Sequence, residues 1–334
     1  MKAYIKAISY YLPEKVLTNE QLTERFPEWS VEKVASKIGV NQRHIAAENE
    51  FVSDMAISAS NLLFDEHHIK PTDIDFILLC TQSPDYFLPT TACIVQDKLG
   101  IPQHAGALDF NLGCSGYVYG LAMAKGLIMA NIAKNILLIT SETYSKHINS
   151  NDKGNSTIFG DAASATLVST TGFAEIKEFE LGTDGAGANN LIVKEGAMKH
   201  PNKLNQEFNV GDSGTMWPSN LYMNGTEIFN FTLEAIPPLV KTALQKNNIS
   251  EEHVDLYVLH QANKYMLNHL RKKMGIPEEK FYIYMENCGN TVSSTIPIAL
   301  HEAMKSNQIK PNQNILLAGF GVGYSWGACI IETN

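Results

Sequence analysis

The sequence has no basic excess. Its 26 lysines and arginines are outnumbered by 35 aspartates and glutamates, for a formal net charge of −9. A chain of this balance lacks the cations that neutralise a phosphate backbone, which argues against a nucleic-acid binder. It also lacks a long apolar run. The longest candidate, "YVYGLAMAKGLIMANIA", is broken by Lys125 and stops short of the ~20 residues a membrane span needs, so no membrane partner is expected. The opening "MKAYIKAISYYLPEK" is too short and too interrupted for a signal peptide. Cysteine is scarce and odd in number: five, with no C-x-x-C pair, which predicts free thiols in a reducing cytoplasm. The histidines show no H-E-x-x-H or other metal spacing, and no cofactor or metal is expected. What is present is an ordinary globular composition in 334 residues, enough for one large domain or two.

The chain repeats itself. "HHIKPTDIDFILLCTQS" lies over "NNISEEHVDLYVLHQAN", placing Asp75 on Asp255, Leu79 on Leu259 and Cys80 on His260, an offset of 180. "KLGIP" from Lys98 recurs as "KMGIP" from Lys273, an offset of 175, and "NILLI" from Asn135 recurs as "NILLA" from Asn314, an offset of 179. Three ordered matches at nearly one offset predict an internal duplication, and a period this long means two similar halves rather than a solenoid.

Each half alternates short apolar runs with helical patterns. "DIDFILLC", "AGALDF" and "KNILLIT" read as strands, as do "VDLYVLH", "KFYIYM" and "QNILLAGFG". "TTACIVQDKLG" and "NKYMLNHLRKKMG" read as helices ending in glycine, and "SGYVYGLAMAKGLIMA" and "STIPIALHEAMKS" as further helices. That is βαβαβ twice, which predicts a layered α/β fold. Ligands of such sheets bind beyond the carboxyl ends of the strands. The turn after the second strand of half one holds Cys114, the matching turn of half two, "ENCGN", holds Asn290, and the turn after its first strand holds His260. Packed about a pseudo-two-fold axis, the three turns meet.

The stretch "DFNLGCSGYVYG" sets Cys114 at the head of a helix, where unpaired N–H groups and the helix dipole favour thiolate. Gly113 and Gly116 beside it are expected to leave room for a substrate. A small buried core residue is the commoner fate of a free cysteine, and Cys80, Cys93 and Cys329 are read that way from their apolar surroundings. A strand-to-helix turn is not a core position, so Cys114 is read as a nucleophile. "GFGVGYSWG" is expected to bring backbone N–H donors to an oxyanion.

With "GVNQRHIAAENE", "GCSG", "IFGDAASA", "HQAN", "GN" and "GFGVGYSWG" in that order, the chain resembles the beta-ketoacyl-acyl carrier protein synthase III enzymes of the thiolase superfamily over nearly its whole length. The resemblance implies a duplicated five-layer α-β-α-β-α sandwich, with residues 1–172 as the half carrying the cysteine and 173–334 as the half carrying the histidine and asparagine. It implies a homodimer, a role in fatty acid biosynthesis, and acyl carrier protein and an acyl-coenzyme A or acyl-carrier-protein donor as partners. Its reaction is a decarboxylative Claisen condensation. Cys114 would take the acyl group as a thioester. His260 and Asn290 would hold the enolate of malonyl-acyl carrier protein, and the backbone N–H groups of Cys114 and Gly323 the oxyanion. Gln261, Asn263 and Lys264 of "HQANK" would meet substrate, and Phe231 would serve packing.

The chain departs from that pattern in places. Where the family's coenzyme A site commonly has a tryptophan and, four residues on, an arginine, this chain has Lys33 and Lys37, and a second arginine position reads Lys153. Lysine gives charge without a stacking plane or a bidentate fork, so a looser grip on coenzyme A, or a carrier-protein donor, is expected. Leu88 stands before Pro89 where many members carry an aromatic, and "KHPNKLNQEFNVGDSGTMWPSN" is longer than the usual loop. A different chemistry on the same fold, acyl transfer from Cys114 to an amine or hydroxyl of a specialised metabolite or sugar, is the alternative.

Overall fold

The central apolar runs become strands buried on both faces. The computed structural model describes residues 1–201, 208–209 and 215–334, so half of the long segment noted at 199–220 lies outside the described residues. Among the described residues, ten strands build the framework: β1 (Tyr4–Tyr11), β2 (Phe76–Cys80), β3 (Gly106–Phe110), β4 (Asn135–Glu142), β5 (Ala162–Ser169), β6 (Ala174–Thr183), β7 (Leu256–Leu259), β8 (Phe281–Tyr282), β9 (Asn314–Gly321) and β10 (Ser325–Thr333). The longer helices are α1 (Val52–His67), α2 (Thr91–Lys98), α3 (Gly116–Met129), α4 (Gly225–Lys246), α5 (Lys264–Lys273) and α6 (Thr295–Lys305).

The strand order is β3-β2-β4-β5-β1 followed outward from β6 by the same pattern, β8-β7-β9-β10-β6. In each set the first three strands are parallel and the last two antiparallel. The sets join where Tyr4 pairs with Glu175 and Ile5 with Ala174. The duplication extends to single hydrogen bonds. Asp75 Oδ2 accepts from the Asn135 N–H at 2.9 Å, and Asp255 Oδ2 from the Asn314 N–H at 2.8 Å. The Asn135 and Asn314 amides donate in turn to the Asp73 and His253 carbonyls at 2.9 and 3.2 Å.

Strand periodicity sorts the side chains into layers. Ile77, Leu79, Leu137 and Ile139 face α1 and α2 on one outer side. Leu78, Ile136 and Leu138 face inward, onto α3 and α6, and meet Val258, Ile315 and Leu317 of the second set. Leu259, Leu316 and Ala318 face α4 and α5 on the other outer side. The result is α-β-α-β-α with α3 and α6 as the middle layer. No helix among the described residues is long and apolar enough to cross a membrane.

Two expectations fail in detail. "KFYIYM" pairs as a strand only at Phe281 and Tyr282, because the Tyr284 N–H donates to Gln261 Oε1 instead of continuing the ladder. Cys93 is exposed, unlike Cys80 and Cys329: α2 buries Thr91, Ala92 and Val95, and Cys93 falls on its other side.

Candidate active site

Packing, more than capping, fixes the cysteine. Ser115, the cap of α3, makes no side-chain cap bond. The helix instead buries Tyr117, Val118, Leu121 and Ile128 completely. At ~1.5–3 kcal/mol for each large side chain, this far exceeds the ~1 kcal/mol a cap contributes. The strand end of β9 presses on the Cys114 turn, so a Cβ at Gly321 would lie 2.9 Å from the Cys114 sulfur. The glycines beside the cysteine serve packing rather than substrate. A Cβ on Gly113 would meet Gln82 Oε1 at 2.6 Å, and one on Gly116 the Cys80 sulfur at 2.3 Å.

Cys114 is buried, and burial first, then the carboxyl of Glu142, pushes its thiol up to about 12. The backbone groups of Cys114 and Val322 act the other way. The thiolate expected at the helix head is therefore not the resting form, and the proton has to leave as the thiol attacks. The second backbone group at the sulfur belongs to Val322, next to the Gly323 whose N–H is expected to hold the oxyanion.

His260 directly follows β7, with its N–H still in the ladder to the Ala318 carbonyl at 2.8 Å. It is buried, and burial pulls the imidazole down to about 3, so it is neutral at physiological pH. Its Nδ1 lies 2.7 Å from the Thr295 hydroxyl, and its ring stands edge-on to Phe320. That hydroxyl donates to the Val292 carbonyl at 3.0 Å, so it accepts from Nδ1–H and leaves Nε2 bare; turned off Val292 it can donate to Nδ1 instead, leaving Nε2 protonated. The first form takes a proton and the second offers one, both from a neutral ring. Asn290 Nδ2 lies 3.5 Å from Nε2.

Asn290 is clamped. Its N–H donates to the Ile158 carbonyl at 2.9 Å, and its own carbonyl accepts from Gly160 at 3.0 Å. Its Oδ1 accepts from the Val292 N–H at 2.9 Å, which turns the amide Nδ2 toward the site. Gly289 before it has φ +71°, and a Cβ there would fall 2.8 Å from the Ile158 carbonyl, so only glycine fits. Arg43, fully buried beneath this turn, donates to the Thr157 carbonyl and to Asn19 Oδ1. Nothing in its sequence context marked Arg43 beyond the family resemblance.

The remaining expected residues divide. Gln261 is buried with both ends of its amide engaged, Nε2 on the Leu259 carbonyl and Oε1 on Tyr284, so it lies beneath the site. Asn263 caps α5, accepting from Met266 at 2.8 Å. Lys264 is exposed, its N–H bonded to the Ile38 carbonyl at 2.8 Å. Lys33 and Lys37 lie on the exposed side of the short helix Val31–Lys37. Lys153 pairs with Glu28 at 2.8 Å. A residue missed in the sequence joins this group: Trp29 has the Lys33 and Lys153 ammonium groups 5.1 and 5.8 Å from its ring centre. The signal was available, an aromatic one helical turn before Lys33 in "PEWSVEK".

Two cavities flank the turns. One of about 280 Å³ is lined by Trp29, Ile38 and Ile158, the residue whose carbonyl holds Asn290. The other, about 670 Å³, is lined by Gln82, Tyr144, Leu191, Leu221 and Val322. Tyr86 and Phe87 also line it, but Leu88 does not, and is 83% exposed.

Sheets duplicated in this way, with a thiol, an imidazole and a carboxamide at neighbouring strand ends, define a thiolase-fold condensing enzyme. Known proteins place the chain more closely. The profile described as 3-Oxoacyl-[acyl-carrier-protein (ACP)] synthase III matches residues 108–185, and that of the same family's C-terminal part matches residues 244–333. The Beta-ketoacyl-[acyl-carrier-protein] synthase III of Clostridium perfringens is 38% identical over 96% of both chains. A 2.1 Å crystal structure of a 3-oxoacyl-(acyl-carrier-protein) synthase III superposes with a TM-score of 0.96 at 46% identity, covering 99% of this chain and 100% of that one. The enzyme of Burkholderia xenovorans gives 0.91 at 35%, covering 100% of this chain and 95% of that one. The chain belongs to the 3-oxoacyl-[acyl-carrier-protein] synthase III family.

Proposed function

We propose that the protein condenses an acyl thioester primer with malonyl-acyl carrier protein through an acyl-Cys114 intermediate, extending the primer by two carbons in fatty acid biosynthesis. The observation that carries this reading is the neutral His260 beside Asn290, two uncharged donors for an enolate in a site where a carboxylate would repel it. In acylation, His260 Nε2 takes the thiol proton, the sulfur attacks the primer carbonyl, and the proton passes to the departing coenzyme A sulfur. Malonyl-acyl carrier protein then loses carbon dioxide. Once the ring has exchanged its Nδ1 proton for one on Nε2, with the Thr295 hydroxyl turned to donate to Nδ1, the enolate oxygen rests on His260 Nε2–H and Asn290 Nδ2–H, and its carbon attacks the acyl-Cys114 carbonyl. That oxyanion faces the N–H groups of Cys114 and Val322. Collapse releases the 3-oxoacyl carrier protein and a Cys114 thiolate, which takes a proton from solvent.

Incubation with acyl-coenzyme A and malonyl-acyl carrier protein tests the reading. Carbon dioxide with a 3-oxoacyl product is expected. Acyl-enzyme without decarboxylation would favour transfer to an amine or hydroxyl instead.

The partners follow the same reading. We place coenzyme A across Trp29, Lys33, Lys37 and Lys153, with Trp29 restoring a stacking plane that the lysines lack. Asn263 and Lys264 would flank the pantetheine arm or the carrier protein. Trp29→Ala is expected to raise the KM for acyl-coenzyme A about two- to fivefold, the scale of a half-exposed cation–π contact, with the maximal acylation rate unchanged. An equal KM would remove Trp29 from the site. A homodimer is favoured by the open edge strand β3, which exposes Leu108, and by the exposed Tyr86, Phe87 and Leu88. The five free thiols suit a cytoplasmic protein. The halves 1–172 and 173–334 descend, in this reading, from one duplicated unit.

Leu88 then closes the partner's acyl cavity across the dimer. A leucine leaves more depth than a phenylalanine, and each further buried methylene is worth ~0.8 kcal/mol, about fourfold in specificity. The acylation rate is expected to peak at a chain longer than acetyl, and Leu88→Phe to move the peak shorter. A peak at acetyl in the wild type, or one unmoved by the substitution, would confine Leu88 to interface packing.

A further inference from the structure

Glu142 has no part in the steps above, yet it is a fully buried carboxyl group beside the nucleophile. It ends β4, and its oxygens are shared between the two halves. The Gln82 N–H reaches Oε1 at 3.2 Å and Oε2 at 3.0 Å. The Ser83 hydroxyl donates to Oε2 at 3.1 Å, and the Ser293 hydroxyl to Oε1 at 3.2 Å. Gln82 stands over Gly113, so this end of the network sets the Cys114 turn. Ser293 lies between Asn290 and Thr295, the partner of His260, so the other end sets the enolate donors.

Among the described residues, the groups that face Glu142 offer it no cation. They are Cys80 at the end of β2, Cys114 before α3, Tyr144 after β4 and Asp161 before β5. The loop from the second half contributes Ser293, which carries no charge. Burial, with Asp161 adding to it, pushes the Glu142 carboxyl up to about 8.

We propose that Glu142 is a positioning residue working as the neutral acid: it joins the Cys114 turn of one half to the Asn290 loop of the other without setting a charge beside the thiol. A neutral acid has one acceptor oxygen and one oxygen that can donate. The first serves the Gln82 N–H, and the second can donate to a serine hydroxyl, which rotates to suit. An ionised Glu142 would keep every bond but oppose the developing sulfur anion. The inference rests on Cys114 as the attacking group and not on which acyl donor is used.

The test is the pH profile of Cys114 reactivity from about pH 6 to about pH 9.5 in the full chain, for wild type, Glu142→Gln, Glu142→Asp and Glu142→Ala. Two readouts are followed on the Cys114 peptide by mass: acylation by acyl-coenzyme A and alkylation by iodoacetamide. An amide copies the shape and the split donor–acceptor character of the neutral acid. Glu142→Gln should therefore stay within about threefold of wild type at pH 7, and exceed it about tenfold above pH 8, where only the wild type gains a charge. Glu142→Asp is one methylene too short to reach both halves and should lose about tenfold or more in acylation at every pH. Glu142→Gln as slow as Glu142→Ala at pH 7, profiles of wild type and Gln that superimpose throughout, or a fully active Asp variant would each overturn the proposal. If the Asp variant does not fold, the comparison of Gln with wild type decides. If no donor acylates the wild type, the proposed condensation fails, while the alkylation profiles still judge Glu142.

Discussion

Cys114→Ser is expected to carry no acyl group after incubation with an acyl donor, a loss of roughly 10⁴-fold or more, the scale seen when an enzyme's nucleophile is removed. The fold should survive. Oxygen is smaller than sulfur, and the seat between the turn and Gly321 is already tight, so nothing is forced apart. What fails is the chemistry. Even the thiol is held up to about 12 here, and a hydroxyl in the same dry seat is harder to ionise and a poorer nucleophile for a thioester. The exposed Cys93 is the one distractor that burial does not remove, so the acyl group has to be located by peptide mass rather than by total mass alone. An unchanged modification on the peptide of residue 114, or one moved to the buried Cys80 below it, would refute the assignment of the nucleophile.

The duplicated halves were legible because their central strands are buried on both faces and read as unbroken apolar runs. Asp75 and Asp255, with Asn135 and Asn314, marked the same joint in each half. The antiparallel strand β5 was not legible: "AASATLVS" is small and mixed because it packs close against β1 and β4 and has no apolar run to show. The three reactive turns could be placed by the repeat. Their protonation could not, since a helix head is visible in a sequence but the depth of its burial is not, and at Cys114 burial outweighs the helix. That the backbone group of Val322 reaches the sulfur has a similar origin. Which backbone N–H points at the sulfur depends on local dihedral angles and not on side-chain identity. Glu142 escaped notice because its partners, Gln82, Ser83 and Ser293, come from segments 59 to 151 residues away.

His260→Ala and Asn290→Ala should separate the two half-reactions. Asn290 neither gives nor takes a proton in acylation, although its Nδ2 lies 3.5 Å from the His260 Nε2 that does, so Asn290→Ala should acylate Cys114 within a few-fold of wild type. It removes one of the two donors for the enolate oxygen, and decarboxylation by the pre-acylated enzyme should fall by ~10²- to 10³-fold. His260→Ala should lose that donor as well, and also the bare nitrogen that takes the thiol proton. With the thiol at about 12, general-base assistance is needed, and acylation should fall by a further ~10²-fold or more. Rapid-quench mass spectrometry reads the first step, and carbon dioxide release from the acyl-enzyme reads the second. Acylation should hold no inflection for His260 between pH 5 and 8, because burial keeps the ring neutral down to about 3. The same burial bears on stability with a definite sign. The unfolded ring binds a proton below its ordinary value near 6.5 and the folded ring does not, so stability is lost as pH falls below that point and His260→Ala should flatten that loss. If His260→Ala acylates as fast as wild type, the thiol loses its proton elsewhere, and the histidine serves the enolate alone. If both variants lose both half-reactions equally, the two residues act as one structural unit, and their separate roles fall.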